Sequence, residues 1–280
     1  MTIAQLLRET CEKIEPFDAE FLLADVLHVS RAHLREYPDH VISKYAVRRF
    51  HTYVNARAQG IPIPYVVKYM VFCNLAIGVT KDVMIPRSTT EQIVELVLQE
   101  IKTPVKERTL IIDVGTGSGC IPIAIGKYLD NPMPTHLFAT DISQKALLVA
   151  KKNAAFHEVP IEFFRGDLLL PILEKRLIPR ETHVILTAHL PYISTEKIGN
   201  RAEPKVALDG GADGLDLYRQ LFFQIQGLVS IPKIVLDIFC ECAPKQIPNI
   251  ITHIEATLPG SRILTHADDT NQERIIHVSL

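Results

Sequence analysis

Six short stretches of this chain are almost continuously apolar: TLIIDV at 109–114, THLFAT at 135–140, IEFFRG at 161–166, HVILTA at 183–188, KIVLDIF at 233–239 and RIIHVSL at 274–280. A strand with one wet face alternates apolar and polar residues, so unbroken runs demand a sheet covered on both faces. Helical patterns at 143–156 and 214–226 lie between several of the runs and supply such covers. The order of elements predicts a doubly wound α/β fold.

The first sixty residues read differently. Thr2 and Gln5 have capping-box spacing, followed by Ile3, Leu6, Leu7 and Ile14 near one helical face. A second stripe, with Phe21, Leu22 and Val26, follows Asp18, and Ser30 is placed to cap a short third helix. A fourth runs from Ser43 to Gly60 with Val47, Phe50 and Val54 on one side. We therefore expect a helical domain over 1–60, a linker and β-hairpin over 61–85 (YVV, VFC and AIGV are its β-rich pieces), and the α/β domain over 86–280. Ser88 and Glu91 again have capping-box spacing at the start of a helix with Ile93, Val94 and Val97.

Composition narrows the classes of function. With 30 Lys plus Arg against 32 Asp plus Glu, the net charge of -2 provides no overall field for nucleic acid or an anionic membrane. A local run of six basic residues from Lys44 to Lys81, without an acid between His40 and Lys81, reads first as a solvated helix face. No apolar run approaches the roughly 18 residues of a membrane span, and the N-terminus carries acids where a signal peptide is apolar, so a cytoplasmic protein is expected. Five scattered cysteines, with CxC in place of CxxC, read as reduced thiols and point to neither a disulfide framework nor a metal site.

The chemistry concentrates after the first long strand. DVGTGSG, Asp113 to Gly119, leads directly into a helix, and Gly115, Gly117 and Gly119 allow a sharp turn and close approach of a ligand to the backbone. Thr116 and Ser118 complete that loop, and amides at the helix start are expected to be free donors. At the end of the next strand, Asp141 sits where an acid grips the two hydroxyls of a ribose. Asp167, after the third strand, is placed to accept an adenine amine, with Leu168 beside the ring. A dinucleotide and S-adenosylmethionine both fit this plan. The GxGxG spacing departs from the GxGxxG of dinucleotide enzymes and disfavours an NAD-linked oxidoreductase.

On these residues the chain resembles the HemK-type N5-glutamine methyltransferases of peptide chain release factors. DAEFLLADVLHVSRAHL at 18–34, IPIPYVV at 61–67, VMIPRSTTE at 83–91, the glycine loop with Asp141, and AEPKVALDGGADGLDLYR at 202–219 carry the resemblance. It implies a Rossmann-like S-adenosylmethionine-dependent methyltransferase domain whose cofactor is held by Gly115, Thr116, Gly117, Ser118, Gly119, Asp141, Asp167 and Leu168. It also implies a helical substrate-recognition domain at 1–60 and transfer of a methyl group to the glutamine of a Gly-Gly-Gln motif. The partner implied is a release factor, without direct nucleic-acid contact, and the protein is expected to be monomeric.

The family pattern at the catalytic loop is Asn-Pro-Pro-Tyr; here it is His189, Leu190, Pro191, Tyr192. Pro191 and Tyr192 keep the pattern, and His189 replaces an amide carbonyl with a ring that has one acceptor when neutral. His189 then has three readings: a substitute acceptor for the substrate amide, a mark of a weakened site that binds without turnover, or a residue for another substrate. Lys68 and the VSIPK turn before 233 stand where the family usually has glycine.

Overall fold

The computed structural model describes residues 1–101, 108–129 and 135–280. They form two compact units, Met1–Tyr69 and Met70–Leu280.

The first unit is helical: α1 (Ile3–Thr10), α2 (Pro16–Leu27), α3 (Arg31–Glu36), α4 (Lys44–Ala58) and α5 (Ile63–Val67). Three helix starts are fixed by the expected side chains. Thr2 and Gln5 exchange bonds in a capping box, Ser30 Oγ accepts from the His33 amide, and Ser43 Oγ accepts from the Ala46 amide. The side chains turned inward, Leu6, Leu22, Leu23, Leu34, Phe50 and Val54, are fully buried and form one core. Two basic residues of the 44–81 run are engaged: Arg57 pairs with Asp18 at 2.6 Å, and Arg49 donates to the Tyr53 hydroxyl at 2.9 Å. The YVV piece, expected as strand, is the turn of helix α5. Pro62 and Pro64 stand at its start, where proline costs no hydrogen bond.

A hairpin follows from Tyr69, β1 (Tyr69–Phe72) and β2 (Leu75–Gly78), whose turn residues Cys73 and Asn74 both have positive φ, as a tight primed turn requires. Then follow α6 (Glu91–Ile101), β3 (Arg108–Val114), α7 (Cys120–Tyr128), β4 (Thr135–Asp141), α8 (Gln144–Phe156), β5 (Glu162–Arg165), α9 (Leu170–Glu174), β6 (Thr182–Ala188), α10 (Asp216–Val229), β7 (Ile234–Glu241), α11 (Ile247–Thr257), β8 (Arg262–Ala267) and β9 (Glu273–Ser279). The sheet has seven strands in the order β5-β4-β3-β6-β7-β9-β8. β3 to β7 run parallel; β9 is antiparallel to β7 and to β8.

Both faces of the sheet are covered. Along β3, Leu110, Ile112 and Val114 enter one core with Leu221 and Ile225 of α10, whereas Ile111 enters another with Val97 of α6 and Ile123 of α7. That two-sided burial is why the strands read as continuous apolar runs. β8 is the strand that the sequence does not announce. It is a sheet edge, RILTHA, with polar residues interleaved and no fully buried side chain.

Two local expectations change. Ser88 caps no helix; Ser88–Thr90 form a 3-10 turn ahead of α6, and the hydroxyls of Thr89 and Thr90 turn to Glu241. Lys68, and Lys233 at the end of the VSIPK turn, have φ of 76° and 59°. The left-handed conformation persists with a side chain present, at a cost of about 1 kcal/mol each.

Candidate active site

The loops at the C-terminal ends of β3, β4, β5 and β6 surround a cavity of about 510 Å³. Ligands of open α/β sheets bind at these strand ends, and the volume lies within the range of small-molecule sites. Strand register sets the arrangement. Val114 of β3 pairs with Thr140 of β4 on one side and Ala188 of β6 on the other, so the loops that follow each strand emerge side by side.

The glycine loop is built against both neighbours. The amides of Gly115 and Thr116 donate to the carbonyl of Thr140, each at 2.9 Å, and the Gly119 amide donates to the carbonyl of Thr116 at 2.8 Å. The loop spends these three amides on its own shape. No side chain caps α7, whose N-terminus begins at Gly119 with φ of 81°. Gly115 is required by contact, since a Cβ there would lie 2.8 Å from Leu190.

Asp141 ends β4 and lines the cavity. Its Oδ2 accepts from the Gly117 amide at 2.9 Å and its Oδ1 from the Ser143 amide at 2.8 Å. Burial raises its pKa, and those two amides oppose the rise. Each carboxylate oxygen retains a lone pair, so two further donors can be accepted. Asp113, first in the glycine motif, serves the frame instead. It is buried beneath the loop, accepts from the Thr187 hydroxyl at 2.7 Å across the β3–β6 pair, and is pushed by burial up to about 7.

Asp167 and Leu168 also line the cavity. Asp167 accepts from the side-chain amide of Gln220 on α10. Leu168 is buried with φ of 50°, a left-handed backbone that places it against the cavity. Such strain on a non-glycine residue concentrates at ligand walls.

The fourth side is the loop after β6. His189, Leu190 and Pro191 line the cavity, whereas Tyr192 lies behind them, stacked on the His189 ring with centroids 5.6 Å apart. Leu190 has an N–H where the family pattern has proline, and that N–H donates to the Tyr218 hydroxyl at 3.3 Å. The hydroxyl in turn donates to the carbonyl of Glu241. Loss of the proline therefore leaves the loop anchored by a buried hydrogen bond.

The segment 202–219 braces this loop. Ile193 bridges to Asp209, the Gly210 amide donates to the carbonyl of Ile193 at 2.9 Å, and Gln246 donates to the carbonyl of Tyr192 at 2.9 Å. A Cβ on Gly210 would meet the Pro191 carbonyl at 2.6 Å, and one on Gly214 would meet the Tyr192 carbonyl at 2.2 Å. The glycines permit backbone to lie directly on backbone. Glu203 is held by Arg87 at 2.7 Å and by the Ile85 amide at 3.0 Å.

Two functional candidates escaped the sequence reading. Glu241, at the end of β7, is 1% exposed and accepts from Thr89 at 2.8 Å and from Thr90 at 2.6 Å. Thr90 Oγ1 also lies 3.1 Å from His189 Nδ1. Asp237, the other acid of that strand, stands away from the cavity and is held by His183, His277 and Ser279 at 2.7 to 2.8 Å.

A seven-stranded mixed sheet with this ligand face and flanking helices is the fold of the class I methyltransferases. Residues 2–67 match the family model of the PrmC N-terminal domain, and 88–179 match that of ribosomal protein L11 methyltransferase (PrmA). The release factor glutamine methyltransferase of Moorella thermoacetica is 35% identical over 82% of this chain and 82% of its own length. That of Bacillus cereus is 32% identical over 93% and 91%. Among solved structures, the N-terminal domain of human METTL16 in complex with SAH is 14% identical and covers 95% of this chain and 94% of that one, with a TM-score of 0.51, a likeness of fold. The chain belongs to the release factor glutamine methyltransferase family. Among the described residues, no helix is long and apolar enough to cross a membrane.

Proposed function

We propose that this protein transfers a methyl group from S-adenosylmethionine to the side-chain amide nitrogen of the glutamine in the Gly-Gly-Gln motif of a release factor. The observation that carries this reading is a cavity bounded by the glycine loop and Asp141 on one side and by His189 and Pro191 on the other. Membership of the release factor glutamine methyltransferase family supports this choice of substrate.

The residues present fit the cofactor. Asp141 has lone pairs at the cavity for the two ribose hydroxyls, Asp167 has one for an adenine amine, and Leu168 offers an apolar wall for the ring. Glycine at 115 keeps the floor free of a side chain that would strike Leu190. S-Adenosylmethionine supplies, when bound, an electrophilic methyl on a sulfonium whose departure leaves a neutral thioether. The chain's own task is positional. An amide nitrogen is a poor nucleophile, because its lone pair is delocalised into the carbonyl, so its N–H bonds must be gripped and its approach fixed.

His189 is the acceptor available at the place where the family pattern has Asn. Burial lowers its pKa from the ordinary 6.5, the effect opposed by Glu241 and Glu203 and reinforced by Arg87, so it is neutral at pH 7 and retains one ring lone pair. Pro191 stiffens the loop, and Tyr192 supports the His189 ring from behind. The helical unit is assigned to recognition of the release factor.

The test is incorporation of isotopically labelled methyl from the cofactor into a purified release factor, compared with the same factor in which the motif glutamine is replaced. Label is expected in the first and not in the second. A protein that binds cofactor and release factor but transfers no label, and that begins to transfer when His189→Asn and Leu190→Pro are combined, would make the wild type a binding protein and overturn the reading.

A further inference from the structure

The acceptor at position 189 is held by a buried chain of hydrogen bonds with a fixed direction. Both oxygens of Glu241 accept: Oε1 takes the Thr89 hydroxyl at 2.8 Å and Oε2 takes the Thr90 hydroxyl at 2.6 Å. A hydroxyl has one proton to give. Having given it to Glu241, Thr90 Oγ1 can only accept from its third neighbour, His189 Nδ1, 3.1 Å away. The carboxylate itself is 3.6 Å from Nδ1, beyond hydrogen-bond length, so the hydroxyl is the link. The neutral ring is thereby fixed with its proton on Nδ1, and Nε2 keeps the lone pair. The ring's hydrogen bond among the described residues is made at Nδ1, and the side chain lines the cavity.

Resting on the glutamine-methylation reading, we propose that His189 Nε2 is the base that takes the proton from the substrate amide, and that Thr90 and Glu241 are positioning residues that hold it in this tautomer. In the step, the amide nitrogen forms its bond to the methyl carbon as the carbon–sulfur bond breaks toward sulfur. The N–H bond breaks toward nitrogen, and its proton passes to Nε2. The imidazolium so formed has the Glu241 carboxylate within the same buried chain, which favours the charge as it develops. A carbonyl acceptor at this position can hold the N–H but cannot carry the proton away as a stable cation; an imidazole can do both. The charged and titratable groups facing the ring are Glu241 from β7, Arg87 and Glu203, themselves paired, and the Tyr192 phenol stacked on it.

Two measurements decide the proposal. The first needs no turnover: ¹⁵N chemical shifts of the His189 ring report which nitrogen carries the proton. The Nδ1–H form is expected in the wild type and in Thr90→Ser, and a mixture or the Nε2–H form in Thr90→Val and Glu241→Gln. An Nε2–H ring in the wild type overturns the proposal. The second is the pH profile of single-turnover methyl transfer. The wild-type rate is expected to fall about tenfold for each pH unit below the pKa of His189, which lies under 6.5, and to be flat above it. His189→Asn is expected to be slower by about a hundredfold and flat throughout. Thr90→Val is expected to lose about tenfold to a hundredfold in kcat, with Thr90→Ser restoring most of it. Transfer by the wild type that stays flat to below the His189 pKa, read from the same ¹⁵N shifts as a function of pH, overturns the base role while leaving the methyltransferase reading intact. Absence of transfer at every pH counts instead against that reading.

Discussion

Replacing Asp141 with alanine is expected to weaken S-adenosylmethionine binding by about a hundredfold or more. Each ribose hydroxyl bonded to a carboxylate contributes about 1.5–3 kcal/mol. Both are lost at once, together with the anchor for the Gly117 amide at 2.9 Å and the Ser143 amide at 2.8 Å. Those amides shape the glycine loop that lines the cavity, so the expected loss includes loop order as well as direct contact. Asp141→Asn should fall between the two, since one oxygen remains to accept while the amide NH₂ faces a donor. Calorimetric titration of the three proteins measures this directly. An Asp141→Ala protein that binds within a few-fold of the wild type would remove the ribose assignment.

The second large effect is expected at Gly214, which touches no ligand. It has φ of 83°, and a Cβ there would sit 2.2 Å from the Tyr192 carbonyl and 2.5 Å from Gln246 Nε2. Neither neighbour can yield cheaply, because one is backbone and the other is the amide that holds that backbone. Gly214→Ala should therefore push the 191–192 backbone outward. Misplacement of about 1 Å at a reacting group costs roughly a hundredfold in rate. Strain at a left-handed position adds about 1–3 kcal/mol of destabilisation, visible as a lower Tm. Cofactor affinity should stay within a few-fold, because the glycine loop and Asp141 lie on other elements. The split between rate and affinity is the signature. Equal loss of both would mean that the segment 202–219 supports the cofactor side, and not the catalytic loop.

Much of this architecture is legible in the chain because the physics is local. Apolar runs mark strands buried on both faces, and all six runs that lack polar interleaving are strands of the sheet. β8 escapes because an edge strand keeps one side wet, so its pattern, RILTHA, resembles a loop. α5 escapes because Tyr65, Val66 and Val67 have strand propensity, overridden by burial in the helical core and by the prolines that start the turn. The Ser88 spacing misleads because the neighbouring threonines find a stronger acceptor in Glu241.

The site divides in the same way. Gly115, Asp141 and Asp167 follow strand ends in order, and a sheet of parallel strands brings successive strand ends to one edge. Thr90 and Glu241 are 151 residues apart, and nothing near either one announces the other. What joins them is strand order: β7 lies next to β6, with Cys240 beside Ala188, which sets Glu241 level with His189. The same geometry separates the two acids of β7. Asp237, four residues earlier, lies deeper in the sheet, and its partners His183, His277 and Ser279 satisfy it there.

The central claim is that one cavity presents a sulfonium methyl to a glutamine amide whose grip is His189 in place of Asn. Tandem mass spectrometry of a release factor after incubation with this protein and S-adenosylmethionine tests it most directly. The account predicts one added methyl group, located by fragment ions on the side-chain nitrogen of the Gly-Gly-Gln glutamine. An unmodified glutamine, or a methyl on any other residue, from a protein that binds the cofactor normally would contradict it.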